Sequence, residues 1–244
     1  MSKRKRIVGE CVYCGKKRLL TEDHIPPKCL FPKQGRNNLL RIPSCNECHG
    51  QNAQVSLDDE YFRNMLINRD GIQDNDPQRE VRMAAVRAFE KPFKAGFRNA
   101  FLRTAKEIDV FTKGGIFLGK AVSYEVDLRR LNRVAERIIR GLFYHHKGYR
   151  LPDNCELTAL ETGAYQPKSK AEGLTVANSV YRVLANRELI EIEKGLFSYR
   201  FNFASDIPDA SMWALKFYDR IVFFGMTLPP RPSTNEGGAK EKTT

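Results

Sequence analysis

Two Cys-x-x-Cys pairs, Cys11/Cys14 in "CVYCG" and Cys45/Cys48 in "CNECH", constrain this chain more than any other feature. A Cys-x-x-Cys turn puts two sulfurs on one side of a tight loop, and two such turns complete a tetrahedron around an ion such as zinc. Thirty residues separate Cys14 from Cys45, too many for a short finger, so the stretch between them must fold as an insert. Gly15 suits the positive-φ position that closes a knuckle. The other two of the six cysteines, Cys29 and Cys155, are single. The start "MSKRKRIVGE" lacks the apolar stretch of a signal peptide, so paired cysteines read as a metal site before they read as disulfides. Neither pair lies in a βαβ pattern, which sets redox use aside. The expectation is a structural Zn²⁺ on Cys11, Cys14, Cys45 and Cys48. Cys29 is the competing ligand or, more simply, a small buried apolar residue.

Closing that frame pins the two ends of the insert to one point. "TEDHIPP" follows the first knuckle, and His49 directly follows the second. Taken singly, Asp23 reads as a turn residue and His24 as a surface histidine. His49 reads as a substitute zinc ligand or a cap of the next helix. The frame instead favours their meeting. "RLLTED" has strand character, "IPPKCLFPKQGRNN" is a loop broken by proline and glycine, and "LLRIP" returns as a second strand. A helix follows, with Ser56 as its expected N-cap and Asp59 and Glu60 in its first turn. Leu57, Tyr61 and Met65, with Phe62 and Leu66, form its apolar face. The order is strand, loop, strand, helix.

"CVYCG", "TEDHIPP", "NNLLRIPSCNECH" and the helix after them resemble the HNH endonucleases, whose core is a ββα-metal fold, many with a double Cys-x-x-Cys zinc site. The resemblance spans about residues 8–66. It implies that His24 is the general base acting on the attacking water. It also implies that Asp23 and His49 hold one divalent ion against the scissile phosphate, and that Asn38 braces the loop carrying His24. Asn38 also reads as a plain turn residue beside Asn37 in "GRNN". The step from Asn38 to His49 is longer than in the compact motif, Pro43 and Ser44 making up the difference. Asn52, one helical turn after His49, is the candidate for a third protein ligand. Hydrolysis to a 5′-phosphate and a 3′-hydroxyl is implied, with DNA ahead of RNA as substrate.

General chemistry asks for the same parts. Phosphodiester hydrolysis needs an activated water, a cation against the phosphoryl oxygens and help for the departing alkoxide. A neutral imidazole, with an unperturbed pKa near ~6.5 that a nearby cation would hold down, can take the proton, so cleavage should rise with pH as His24 loses its own. One carboxylate and one imidazole leave positions open on Mg²⁺, with Mn²⁺, Ni²⁺ or Zn²⁺ as alternatives. Four thiolates leave none.

The remaining sequence predicts a longer α+β region. "QREVRMAAVRAFEK" is helical up to Pro92, and Phe93, Phe97 and Phe101 recur as a core stripe. "EIDVFTKGGIFLGKAVSYEV" is a hairpin turning at Gly114–Gly115. In the helix "DLRRLNRVAERIIRGLFYHH", Leu128, Leu131, Val134, Ala135, Ile138 and Leu142 face the core. Arg129, Arg133, Arg137 and Arg140 form a stripe that reads as a solvated face or as a track for a phosphate backbone. His145 and His146 suit the helix C-terminus before Gly148 and carry no site. A further helix, "LTVANSVYRVLANREL", precedes strand pairs turning near Lys194–Gly195 and Asp219–Arg220, with Trp213 in the core.

The expected organisation is a zinc-framed HNH module over 1–68, an α+β domain of open role over 69–228, and a disordered tail over 229–244. The formal charge of +12, from 41 Lys and Arg against 29 Asp and Glu, suits a polyanionic partner. No run is long enough to span a membrane, so the expected setting is cytoplasmic. Control by a protein partner or an activating ligand is expected of a nuclease in its own cell. The rival readings are a zinc-dependent nucleic-acid-binding module without catalysis, and a regulatory interaction protein.

Overall fold

The structure, a computed structural model, describes residues 7–49, 53–67, 78–90, 95–164 and 167–230. Its first layer is an antiparallel sheet in the order β1 (Ile7–Glu10), β2 (Lys17–Ile25) and β3 (Leu40–Cys45). The sequence reading foresaw β2 and β3 and missed β1, a short edge strand with Ile7 and Val8 exposed. The first knuckle is the turn between β1 and β2, which pair as far as Glu10 and Lys17. Gly15 closes it at φ 68°, its N–H bonded to the Cys11 carbonyl at 2.8 Å. The register Leu20↔Cys45 between β2 and β3 then carries the second knuckle back beside the first.

Helix α1 (Ala53–Ile67) follows. It is already helical at Ala53, so Ser56 lies within its opening turns instead of capping it. Tyr61, Phe62, Met65 and Leu66 are buried as expected, whereas Leu57 is exposed. Asp58 and Asp59 are buried too, because helix α4 (Leu128–Lys147) supplies their partners. Arg130 and Arg133 both donate to Asp58, and Arg137 donates to Asp59. The arginine stripe is thus a solvated face in part: Arg129 and Arg133 are exposed, Arg133 still reaching Asp58, while Arg137 is docked on Asp59 of α1. Asp59 faces α4 and does not cap.

Helices α2 (Arg79–Glu90) and α3 (Ala95–Thr104) come between them. Phe93 lies outside the described residues, as do Pro92 and the side chains of Phe97 and Phe101. The hairpin β4 (Lys106–Phe111) and β5 (Phe117–Ser123) turns where the glycines put it, Gly115 having φ 83°. Asp127 caps α4 by accepting from the N–H groups of Arg129 and Arg130. Gly148 ends it at φ 77°, its N–H returning to the Tyr144 carbonyl.

The larger sheet combines β6 (Glu156–Glu161), β7 (Ile190–Glu193), β8 (Phe197–Phe203), β9 (Ser211–Phe217) and β10 (Ile221–Leu228) in the antiparallel order β6-β10-β9-β8-β7. Helix α5 (Lys170–Leu184), capped by Ser169, lies before β7. The β9–β10 turn holds Tyr218 and Asp219 at φ 51° and 57°, a left-handed pair without glycine. The buried Tyr218 hydroxyl helps hold it there by donating to the Leu30 carbonyl at 3.1 Å.

Helix α4 ties the two sheets together. A Cβ on Gly141 would lie 2.5 Å from Ile25 Cγ1, so glycine lets the helix settle on β2 and β3. On the other sheet, a Cβ on Gly225 would lie 2.1 Å from Ile139 Cδ1. One core results, running from Ile25 and Ile42 through Phe62 and Ile138 to Trp213 and Phe223. Each such fully buried apolar side chain is worth about 1.5–3 kcal/mol. Helix α4 thus presses directly on the strand that carries Asp23 and His24.

Candidate functional site

The Sγ atoms of Cys11, Cys14, Cys45 and Cys48 all lie within 4.8 Å of one another. Zn–S bonds of about 2.3 Å imply sulfur separations of about 3.8 Å in a tetrahedron, and Cys14 and Cys45 stand 3.9 Å apart. None of the four is in a disulfide. Burial pushes the Cys11 and Cys48 thiols up, a bias toward the protonated form that a divalent ion reverses. The donor set fits a metal ion such as zinc. The knuckle backbones are pre-formed as well: the N–H groups of Cys48 and His49 both return to the Cys45 carbonyl, at 3.0 and 2.9 Å. Cys29 stands elsewhere, its thiol donating to the Asp59 carbonyl at 3.4 Å and pushed up to about 12 by burial.

The frame delivers three of the expected residues to one place. Asp23 and His24 lie near the end of β2, and the second knuckle hands over directly to His49. His49 Nε2 sits 2.9 Å from the Glu22 carbonyl oxygen and 3.5 Å from Asp23 Oδ1. Asp23, His24 and His49 line a cleft of about 320 Å³, walled from α1 by Ser56 and Arg63. Neighbouring residues on a strand point to opposite faces. Asp23 and His24 both reach the cleft because it opens where β2 gives way to the Pro26–Pro27 loop.

Asp23 is 5% exposed and held through both oxygens. Oδ1 accepts from the His24 N–H at 2.9 Å, and Oδ2 accepts from the Tyr13 hydroxyl at 3.0 Å. Tyr13 lies between Cys11 and Cys14, inside the first knuckle. Its phenol is held well above the usual range by burial and by the Asp23 charge, so it acts as a fixed donor. Sequence reasoning missed this residue. Its position within the Cys-x-x-Cys turn was visible, but the direction of its side chain was not.

His24 is pushed down to about 4, by burial first and then by Lys28 and Arg41. It is therefore neutral at physiological pH. The direction is the one a nearby cation was expected to give, with burial the larger cause, and it moves the expected rise of rate with pH down from ~6.5 to about 4.

Asn38 stands apart from the cleft. It is exposed, and its carboxamide donates to Glu193 of β7 at 3.5 Å. Asn52 lies outside the described residues. His146 is no simple helix-end cation: its Nε2 is 2.9 Å from the Tyr199 hydroxyl and its ring centroid 4.1 Å from that of Phe201. Burial pushes that imidazole down to about 4 as well. No helix among the described residues is long and apolar enough to cross a membrane.

Searched against protein-family models, curated proteins and solved structures, the chain matches none of them. What is established is a mixed α+β protein with antiparallel sheets and a four-cysteine cluster fit for a metal, beside a cleft lined by two histidines and a buried aspartate.

Proposed function

We propose that this protein is an HNH endonuclease, a metal-dependent phosphodiester hydrolase acting on nucleic acid, with DNA the favoured substrate. The observation that carries the reading is that Asp23, His24 and His49 share one cleft at the edge of the four-cysteine frame. Composition gives no reason for such a meeting, whereas hydrolysis of a phosphodiester does.

The contacts support the roles that the resemblance implies. Asp23 Oδ1 and the His49 ring lie 3.5 Å apart and would hold one divalent ion, Mg²⁺ or Mn²⁺, once His49 Nε2 gives up the hydrogen bond it donates to the Glu22 carbonyl. That ion would supply positive charge against the phosphoryl oxygens. Tyr13 keeps Asp23 turned toward the site, and the Cys45–Cys48 knuckle keeps His49 there. His24, already neutral, accepts a proton from the attacking water. Its depressed pKa makes it a modest base, but one that is fully available. Zinc organises the frame and takes no part in the chemistry.

The test is purified protein, a supercoiled plasmid and Mg²⁺ or Mn²⁺. The expected outcome is nicking or linearisation, lowered at least about a hundredfold by His24→Ala, in line with general-base catalysis. Zinc content should be the same in both proteins. Equal cleavage by the two would refute the role of His24. Salt-sensitive DNA binding without cleavage under either ion would instead establish a non-catalytic binding module.

A further inference from the structure

The wall of the cleft formed by α1 holds a charge that nothing in the proposed chemistry has used. Arg63 is 7% exposed, yet among the described residues no carboxylate oxygen comes within 4.0 Å of its guanidinium. Its protein partner is neutral: Nε and Nη2 donate to the Asn64 carboxamide oxygen at 3.0 and 2.9 Å. Nη1 donates to no described protein atom, and Arg63 is one of the residues that line the cleft. The neighbours that feel this cation, Cys29 and Tyr218, both have their pKa values raised by burial and stay neutral.

A buried guanidinium without a counter-ion is costly, because its desolvation is not returned by an ion pair. The contrast within the same helix is instructive. Asp58 and Asp59, equally buried on α1, each have arginines from α4. Of the carboxylates lining the cleft, Asp59 is bound to Arg137 and Asp23 is held by Tyr13 and its own strand. Glu60 is on the same wall and has a partner of its own. Among the described residues the protein supplies no counter-ion, so the cleft is the place where one can bind. The Arg63 guanidinium, with Lys28 also lining the cleft, suits a tetrahedral oxyanion.

We infer that Arg63 forms an anion subsite that grips a phosphoryl group of the nucleic acid inside the cleft. This deepens the nuclease reading and rests on it for the identity of the ligand, but not for the existence of the subsite. Arg63 is a substrate-binding residue in this account, and it works without the catalytic ion.

The experiment is therefore run without added Mg²⁺ or Mn²⁺, on the full-length zinc-bound protein, with inorganic phosphate as probe at constant ionic strength. Wild type should show a saturable phosphate-dependent rise in melting temperature, and His24→Ala should show the same rise. Arg63→Gln should lose it, while melting no lower than wild type in the absence of phosphate. An undiminished phosphate response in Arg63→Gln overturns the inference. So does a wild-type response to phosphate that matches its response to chloride. If Arg63→Gln does not melt cooperatively, Arg63→Lys decides: it keeps the charge but loses the planar fork. Phosphate affinity reduced about fivefold or more in Arg63→Lys supports the subsite, and unchanged affinity refutes it. The nuclease reading fails separately. An Arg63-dependent phosphate response in a protein that never cuts plasmid keeps the subsite and removes the catalysis. Cleavage with no such response does the reverse.

Discussion

Tyr13 shows how much of this site depends on single side chains that bear no catalytic chemistry. Its hydroxyl fixes one oxygen of Asp23 from inside the first knuckle, so metal-frame geometry passes to the cleft through one hydrogen bond. Outer partners of metal-binding carboxylates are commonly worth about 10–100-fold in affinity or activity. Tyr13→Phe is accordingly expected to weaken Mn²⁺ binding by about tenfold, with zinc content unchanged, as measured by titration calorimetry and metal analysis. His24 yields a prediction about pH. With its proton lost near 4, the rate should climb with pH only around that value. From about pH 6 to 8 this group should add no inflection while chemistry limits the rate. An inflection near ~6.5 that vanishes in His24→Ala would show the ring to be solvated and unperturbed. The meeting of Asp23, His24 and His49 in one cleft was legible in the sequence because the two cysteine pairs bring their segments together. The pKa of His24 was not legible. It arises from burial and from Lys28 and Arg41, the latter brought opposite it only by the β2–β3 register.

At the scale of elements, α4 is the part on which the cleft leans. Its arginines neutralise the acidic turns of α1, and Gly141 lets it lie against Ile25, the neighbour of His24. Placing a branched side chain there overpacks the contact, a change that typically costs about 1–3 kcal/mol. Gly141→Val should lower the melting temperature and also reduce plasmid cleavage, since the displaced strand is β2. Full activity at wild-type stability would mean that α4 can shift without moving the site. The sequence made α4 itself easy to read, from its apolar spacing, the cap Asp127 and the terminal Gly148. It concealed what α4 packs against. An arginine stripe looks the same whether it meets water, phosphate or a buried carboxylate, and only the docking of α1 decided among them. The same limit hid β1 and β6: both are short, and their pairing partners are set by the register of other strands.

Across the whole molecule, the zinc-framed segment and the larger sheet share one core, with the Tyr218 hydroxyl reaching the Leu30 carbonyl across it. That junction holds the Lys28–Leu30 turn, so a residue beyond 69 helps to fix the loop that lines the cleft. The overall charge of +12 provides the long-range attraction a polyanion needs, and the cleft provides the place where one phosphate is singled out. The α+β class and the metal frame were readable from the chain alone, because knuckle spacing and strand alternation are local. The union of the two halves was not, since it depends on glycines whose only sequence mark is the absence of a side chain. The most direct measurement is the anomalous diffraction of crystals soaked in Mn²⁺. The account predicts one strong Mn²⁺ peak bonded to Asp23 and to His49, whose ring has left the Glu22 carbonyl, separate from a zinc peak among the four cysteine sulfurs. A zinc peak with no Mn²⁺ between Asp23 and His49, at concentrations that support cleavage, would contradict it.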